Sequence, residues 1–244
     1  MAQLQRITIS PHQIRDNQVV LEKDQLHYLT RVLRLSDGDK FIVMDGVEKW
    51  WLTSLQSDYG EILEDLEVQT ELKVSISLLL ALPKGNAFDD VVRICTELGV
   101  DTIVPVISER TLLNPSSQKL ERWRRIAAEA AEQSERAFVP VIYEPVSFSQ
   151  GLSLLDVEQK YICEGRGDNP HLLKCWRQVG EGQVKVVVAI GPEGGWSKEE
   201  LENAVNAGFK IVSLGKRILR AVTAPLVVLS ILAAEMEISE ISTF

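Results

Sequence analysis

Residues 190–195 read Ile-Gly-Pro-Glu-Gly-Gly, placing three glycines within five residues between the apolar run 184–190 and a polar, helix-like stretch. In an open parallel sheet, ligands gather beyond the carboxyl ends of the strands, where turns lead into helices. Glycine lets the backbone come close to a flat ligand or take a positive φ, so Gly191, Gly194 and Gly195 leave a floor of bare main chain. Such a floor suits a ring held by N–H and C=O groups, as an adenine would be. Ser197 and Glu200 stand three residues apart, the spacing of a capping box, which sets the helix start just past the turn. A tight strand-to-helix turn without a ligand would use the same glycines. On this stretch alone the two readings stand level.

Two more stretches repeat the design. Val212-Ser-Leu-Gly-Lys-Arg-Ile-Leu-Arg220 follows a short strand pattern with a glycine, two arginines and then a helix opened by Pro225. Tyr161-Ile-Cys-Glu-Gly165 places Glu164 and Gly165 at a third strand end. Three glycine-bearing strand ends in one sheet describe a pocket built from three loops. The familiar phosphate patterns are missing. No GxGxxG follows a strand, and Gly215-Lys216 has Lys210 where a P-loop needs its first glycine.

The elements that must hold these loops are legible in outline. From Val74 onward, strand and helix patterns alternate: strands at 74–82, 101–108, 160–165, 184–190 and 210–215, with helices between them. Continuous apolar runs such as Ser75–Leu82 are those of strands covered on both faces, which predicts a mostly parallel sheet. Residues 1–72 differ. Arg6–Ser10 and a hairpin turning at Asp45-Gly46 flank one helix, with Leu26, Leu29, Val32 and Leu33 at helical spacing; small strands without long helices predict a compact barrel-like module. The charged stretch 64–73 carries the last barrel strand into a linker.

Composition narrows little. The chain has 244 residues, 45% of them hydrophobic and 25% charged, as in an ordinary globular protein. Three scattered cysteines propose neither a disulfide framework nor a zinc site and fit a reducing cytoplasm. His12, His27 and His171 have no ligand spacing, so no metal is expected. The opening residues lack the apolar core of a signal peptide, and the longest apolar run, Val222–Ala234, is too short to span a bilayer; no membrane association is expected. A formal net charge of −9 argues mildly against a protein that coats nucleic acid, but not against an enzyme with a local basic patch.

Several motifs together resemble one family. Ala189-Ile-Gly-Pro-Glu-Gly-Gly-Trp-Ser-Lys-Glu-Glu200, Leu214-Gly-Lys-Arg-Ile-Leu-Arg-Ala-Val-Thr-Ala224, Thr96–Arg110 and Ala130–Ile142 resemble the RsmE family of ribosomal RNA methyltransferases. His27–Asp39 and the Asp45-Gly46 hairpin match the same family, so the resemblance covers nearly the whole chain. It implies a PUA-like RNA-binding β-barrel over residues 1–72, then a SPOUT α/β methyltransferase domain over residues 73–244 with a C-terminal trefoil knot, which the strand pattern itself does not predict. It implies a cytoplasmic homodimer that binds S-adenosylmethionine and methylates N3 of one uridine in 16S rRNA of the small ribosomal subunit. Glu164, Ile190, Gly191, Gly194, Gly195, Leu214, Gly215, Ile218 and Leu219 would contact the methyl donor. One departure stands out: where the family usually has Thr-Glu-Thr-Ala after the Ile-Leu-Arg, this chain has Ala221-Val222-Thr223-Ala224, so a carboxylate is missing. That departure feeds a second reading, a catalytically silent RNA-binding or ribosome-assembly protein.

Methylation at N3 of uracil needs loss of a weakly acidic N–H, and a cation near O2 or O4 would stabilise the resulting charge. Arg220 is the first candidate; a salt bridge to a helix carboxylate is its structural alternative. Glu193 is a candidate proton acceptor, against a capping role in its own turn. Arg6, Arg31, Arg34, Lys84 and Arg136 are candidate phosphate contacts, with Arg31 and Arg34 sharing a helix face at i,i+3.

Overall fold

The structure is a computed structural model that describes residues 4–111, 115–179 and 184–241. Its chain divides into two compact units. The first comprises residues up to Glu71 together with Ala128–Val139, and the second comprises Leu72–Ala127 and everything from Pro140 on.

In the first unit, β1 (Arg6–Thr8), β2 (Ile14–Arg15) and β3 (Gln18–Val20) precede α1 (Lys23–His27), whose axis continues as a π-helical turn over Tyr28–Val32. Strands β4 (Lys40–Met44), β5 (Trp50–Gln56) and β6 (Tyr59–Leu66) complete one sheet in the order β1-β4-β5-β6-β3-β2, a PUA-like half-barrel. Leu29, Phe41, Val43 and Leu55 fill its core. The Asp45-Gly46 hairpin forms, but with a five-residue loop: one carboxylate oxygen of Asp45 accepts the N–H groups of Val47, Glu48 and Lys49, closing the wider turn. The last strand starts at Tyr59, upstream of the charged stretch 64–73, because Gly60 and Ile62 face the core.

The unit also takes in residues 128–139, which the pattern of residue types assigns to the second domain. Arg136 explains part of this. Its side chain is 5% exposed and its Nη2 lies 2.6 Å from Oε2 of Glu71, while the N–H of Phe138 donates to the other oxygen. A Glu71→Ala protein would remove a carboxylate from a buried guanidinium and is expected to lose about 3 kcal/mol of stability. Chemical denaturation with the midpoint followed by fluorescence would check this, and a shift worth under about 1 kcal/mol would show that the pair carries little.

The second unit begins with β7 (Ser75–Ala81), α2 (Ala87–Glu97) and β8 (Thr102–Ile107), followed by α3 (Ser117–Ser134), whose last residues belong to the first unit. Then come β9 (Val141–Ile142), β10 (Val146–Ser147), α4 (Phe148–Leu154), β11 (Gln159–Cys163), α5 (Leu172–Trp176), β12 (Lys185–Ile190), α6 (Lys198–Asn206), β13 (Lys210–Val212) and α7 (Ala224–Ile241). Every pairing is parallel, in the order β10-β8-β7-β12-β11-β13, with β9 also on β8. Pro105, which has no N–H, falls between the residues of β8 that meet β9 and those that meet β10. Phe148 and Leu152 of α4 and Ala204 of α6 pack on Leu79, Val106, Val187 and Ala189, whereas α7 packs on β7 and β12 with α2 and α5 beside it. The helix α4 is absent from the sequence reading. It is short, and Gly151 inside it is needed because a Cβ there would stand 3.0 Å from Val106. Among the described residues, no helix is long and apolar enough to cross a membrane.

Candidate active site

Sheet order explains why three distant loops meet. Strand β11 lies between β12 and β13, and all run parallel, so the chain leaves Ile190, Cys163 and Val212 at the same edge. Cross-loop bonds then hold the ends together. The Ser213 N–H donates to the Pro170 carbonyl, the Leu172 N–H donates to the Ser213 carbonyl, and the Glu164 N–H donates to the Val212 carbonyl, at 2.9–3.0 Å.

The result is a cavity of about 260 Å³. Ile190, Gly191, Glu193 and Gly195 line it from the first loop, Glu164 from the second, and Ile218, Leu219 and Arg220 from the third. Gly194, Leu214 and Gly215, expected as donor contacts, do not line it. Gly194 instead faces the 108–111 loop: its carbonyl accepts from Nη1 of Arg110 at 2.7 Å, and a Cβ on it would meet the Arg110 side chain at 3.1 Å. Gly215 has φ +116°, so its role is the turn itself. Gly191 is also glycine for an internal reason, since a Cβ would stand 3.1 Å from the Trp196 indole. That indole is buried, stacks on Phe148 at 4.4 Å and donates to the Cys163 carbonyl at 3.2 Å.

The capping box forms as expected: Ser197 accepts the Glu200 N–H, and Oε2 of Glu200 accepts the Ser197 N–H. Sequence reasoning missed the second task of Glu200, whose Oε1 accepts the N–H of Glu109 at 2.8 Å. One buried carboxylate thus ties the glycine turn to the 108–111 loop. Gln has a single acceptor oxygen and cannot serve both N–H groups. Glu200→Gln is therefore expected to cost about 2 kcal/mol and to lower the melting temperature by about 6 °C, read by calorimetry; an unchanged melting point would refute the double anchor.

Electrostatically the cavity is mixed. Oε1 of Glu193 accepts the Lys84 N–H at 3.1 Å, a bond to the loop after β7 and not to a neighbour in its own turn. Oε1 of Glu164 accepts the Arg166 N–H at 2.8 Å. Both carboxylates therefore have one oxygen committed to backbone. Arg220 is exposed, and among the described residues its guanidinium forms no ion pair, so the salt-bridge alternative is not realised there. Its carbonyl accepts from Thr223 and Ala224, fixing the backbone at the first turn of α7. Cys163 lines the cavity, but burial pushes its thiol up to about 12, so no thiolate nucleophile is present at neutral pH.

The candidate RNA contacts sort clearly. Arg31, Arg34 and Lys84 are exposed. Arg31 and Arg34 do not share a helix face, however: the π-helical turn ends at Val32, and Arg34 lies beyond it with φ +60°. Arg136 and Arg6 are corrected. Arg136 is buried against Glu71, and Arg6, 11% exposed, bonds Glu135 at 3.0 Å and lies over the Trp50 ring. Trp50 itself is buried.

A half-barrel of PUA type and a parallel sheet whose strand ends converge on one cleft match, domain by domain, the family models of RNA methyltransferases. The family model described as "RNA methyltransferase domain" matches residues 70–233, and that described as "RNA methyltransferase PUA domain" matches residues 21–62. Ribosomal RNA small subunit methyltransferase E of Synechocystis sp. is 44% identical, with 95% of this chain and 78% of that protein covered. The protein of the same name from Aquifex aeolicus is 32% identical over 89% and 95%. Among solved structures, the ribosomal RNA small subunit methyltransferase E of Neisseria gonorrhoeae, bound to S-adenosyl methionine, superposes with a TM-score of 0.84 at 28% identity, covering 95% of this chain and 98% of that one. The chain belongs to the RsmE family of ribosomal RNA small subunit methyltransferases.

Proposed function

We propose that this chain transfers a methyl group from S-adenosylmethionine to N3 of one uridine in 16S rRNA of the small ribosomal subunit. The observation that carries the reading is the Arg220 guanidinium, without an ion pair among the described residues, at a cleft whose walls include the glycine turn and Ile218–Ala221. The cleft fits the donor. It offers main-chain groups at Ile190–Glu193 and Gly195, apolar side chains at Ile190, Ile218 and Leu219, and carboxylate oxygens of Glu164 and Glu193 toward a cationic ligand. When bound there, the donor supplies an electrophilic methyl carbon.

The protein's part is placement and charge. The backbone of Ile190–Glu193, Gly195 and Leu219 would hold the adenosine portion, with Glu164 at the side. Arg220 would face O2 or O4 of the uracil and stabilise the negative charge left when N3 gives its proton to water. That pyrimidine edge is used in base pairing, so the target must be unpaired or turned out of a helix. Alignment of N3 with the methyl carbon supplies much of the remaining acceleration. The Ala221-Val222 departure leaves this scheme intact, because it assigns no step to a carboxylate at those positions.

The first unit would serve as the RNA-binding domain, with Arg31 and Arg34 on phosphates, and Lys84 would do the same beside the cleft. A homodimer is supported by half-buried Leu226, Val227 and Ile231 on α7, which line an open apolar depression of about 520 Å³. The C-terminal knot is supported by the return of α7 from edge strand β13 to the middle strands β12 and β7; a chain trace in a crystal of the donor complex tests it. A cytoplasmic location follows from the ribosomal substrate.

Incubation of the protein with labelled S-adenosylmethionine and small subunits lacking the modification tests the reading. Label on uridine N3 is expected. Donor binding with no transfer would favour the silent RNA-binding protein instead.

A further inference from the structure

Arg166 lies in a stretch, Arg166-Gly167-Asp168, that the sequence alone gives no use. In the fold it lines the same cavity as Arg220. Its backbone is locked. The N–H donates to Glu164 Oε1 at 2.8 Å, the carbonyl accepts from Asn169 Nδ2 at 2.8 Å, and Gly167 turns the chain with φ +85°. The side chain lies along the glycine turn, with Nη1 3.9 Å from where a Cβ on Gly195 would stand.

The guanidinium nevertheless has no carboxylate partner among the described residues, in a chain with 35 acidic and 26 basic side chains. The two carboxylates beside it, Glu164 and Glu193, each direct an oxygen to a backbone N–H and neither reaches Arg166 or Arg220 as an ion pair. Two arginines thus line one concave site, and among the described residues neither guanidinium is matched by a carboxylate. A planar fork of N–H donors in that position is matched by a ligand oxyanion.

We propose that Arg166 is an anion-holding residue of the cleft, acting beside Arg220 on a carboxylate or phosphate oxygen of a bound ligand. This rests on the methyl-transfer reading above, which supplies two sources for that oxygen: the carboxylate of the donor's amino-acid portion, and a phosphate next to the target uridine. Arg166 then determines how tightly one substrate is held, while Arg220 acts on the charge that develops at the base.

Two binding measurements decide it, on the full chain and the Arg166→Gln and Arg166→Lys variants. Titration calorimetry with S-adenosylmethionine reads the donor, and filter binding to small ribosomal subunits across a salt series reads the RNA. Loss of one charge-assisted contact at an open site is expected to weaken binding about tenfold. If donor affinity falls in Arg166→Gln and subunit affinity does not, the anion is the carboxylate. If subunit affinity falls and the slope of log K against log salt drops by about one, it is a phosphate, and Arg166→Lys should then recover most of the loss. If neither constant moves more than twofold while the melting point is unchanged, the proposal is wrong. Methyl transfer is not a readout here. A wild-type protein that binds but transfers nothing would sink the functional reading and leave the Arg166 result standing; one that binds no donor would leave the subunit arm to decide.

Discussion

Replacing Arg220 with alanine is expected to lower the rate of methyl transfer by about 10²–10³-fold while leaving the affinity for S-adenosylmethionine within about threefold of wild type. The asymmetry is the point of the experiment. Arg220 is exposed at the rim of the cleft, and its backbone is held by Thr223 and Ala224, so truncating the side chain removes a charge without unseating a loop. Its guanidinium has no ion-pair partner among the described residues that would be orphaned by the change. A donor at the glycine turn would lose little. A uracil that must carry negative charge during transfer would lose the cation proposed to face it. Arg220→Lys should recover part of the rate, because the charge stays but the fork geometry does not. The check is single-turnover transfer to unmodified small subunits alongside calorimetric titration with the donor. A rate within about threefold of wild type would move the stabilising charge elsewhere, and Arg166 would be the next residue to ask. A parallel loss of donor affinity would mean that Arg220 holds the donor instead.

Trp196→Ala is expected to cost about 4 kcal/mol and to lower the melting temperature by about 8–16 °C, with donor binding lost in the same protein. The indole is 5% exposed and fills the space between α4 and the glycine turn. It stacks on Phe148, bonds the Cys163 carbonyl, and stands where a Cβ on Gly191 would go. Removing it opens a void directly under two of the three loops that form the cleft. Thermal unfolding and donor titration on the one variant check both halves of the expectation. A large stability loss with full donor affinity would show that the turn holds its shape without the indole. Trp196→Phe keeps the stack and loses the bond, so it should fall between the two.

Gly191 shows how far residue types alone can be read. Its spacing with Gly194 and Gly195 marks a tight turn at a strand end, and the turn is there. The reason given for all three, close approach of a ligand, applies to a floor that the structure divides differently. Gly191 makes room for Trp196, Gly194 for Arg110, and Gly195 sits at φ +70° on the cleft wall. The Arg110 contact spans 84 residues and leaves no local sign, whereas Trp196 stands five residues beyond Gly191 and folds back over its own turn.

The capping box of Ser197 and Glu200, the strand runs 75–81, 102–107 and 185–190, and the long helices 117–134 and 224–241 were all determined by local pattern. Period, cap chemistry and breaker residues act over a few positions, and a single sequence displays them openly. Strand order was not displayed. That β11 lies between β12 and β13, and so brings Glu164, Gly195 and Arg220 to one cavity, depends on hydrogen bonds between strands distant along the chain. The fate of each charge was likewise decided in three dimensions. Arg6 and Arg136 read in the sequence like Arg31 and Arg34, yet Arg136 is buried against Glu71, Arg6 is mostly covered beside Glu135, and the last two face water. An arginine's partner is whichever carboxylate the fold brings within reach of a long side chain, and only tertiary packing sets that distance.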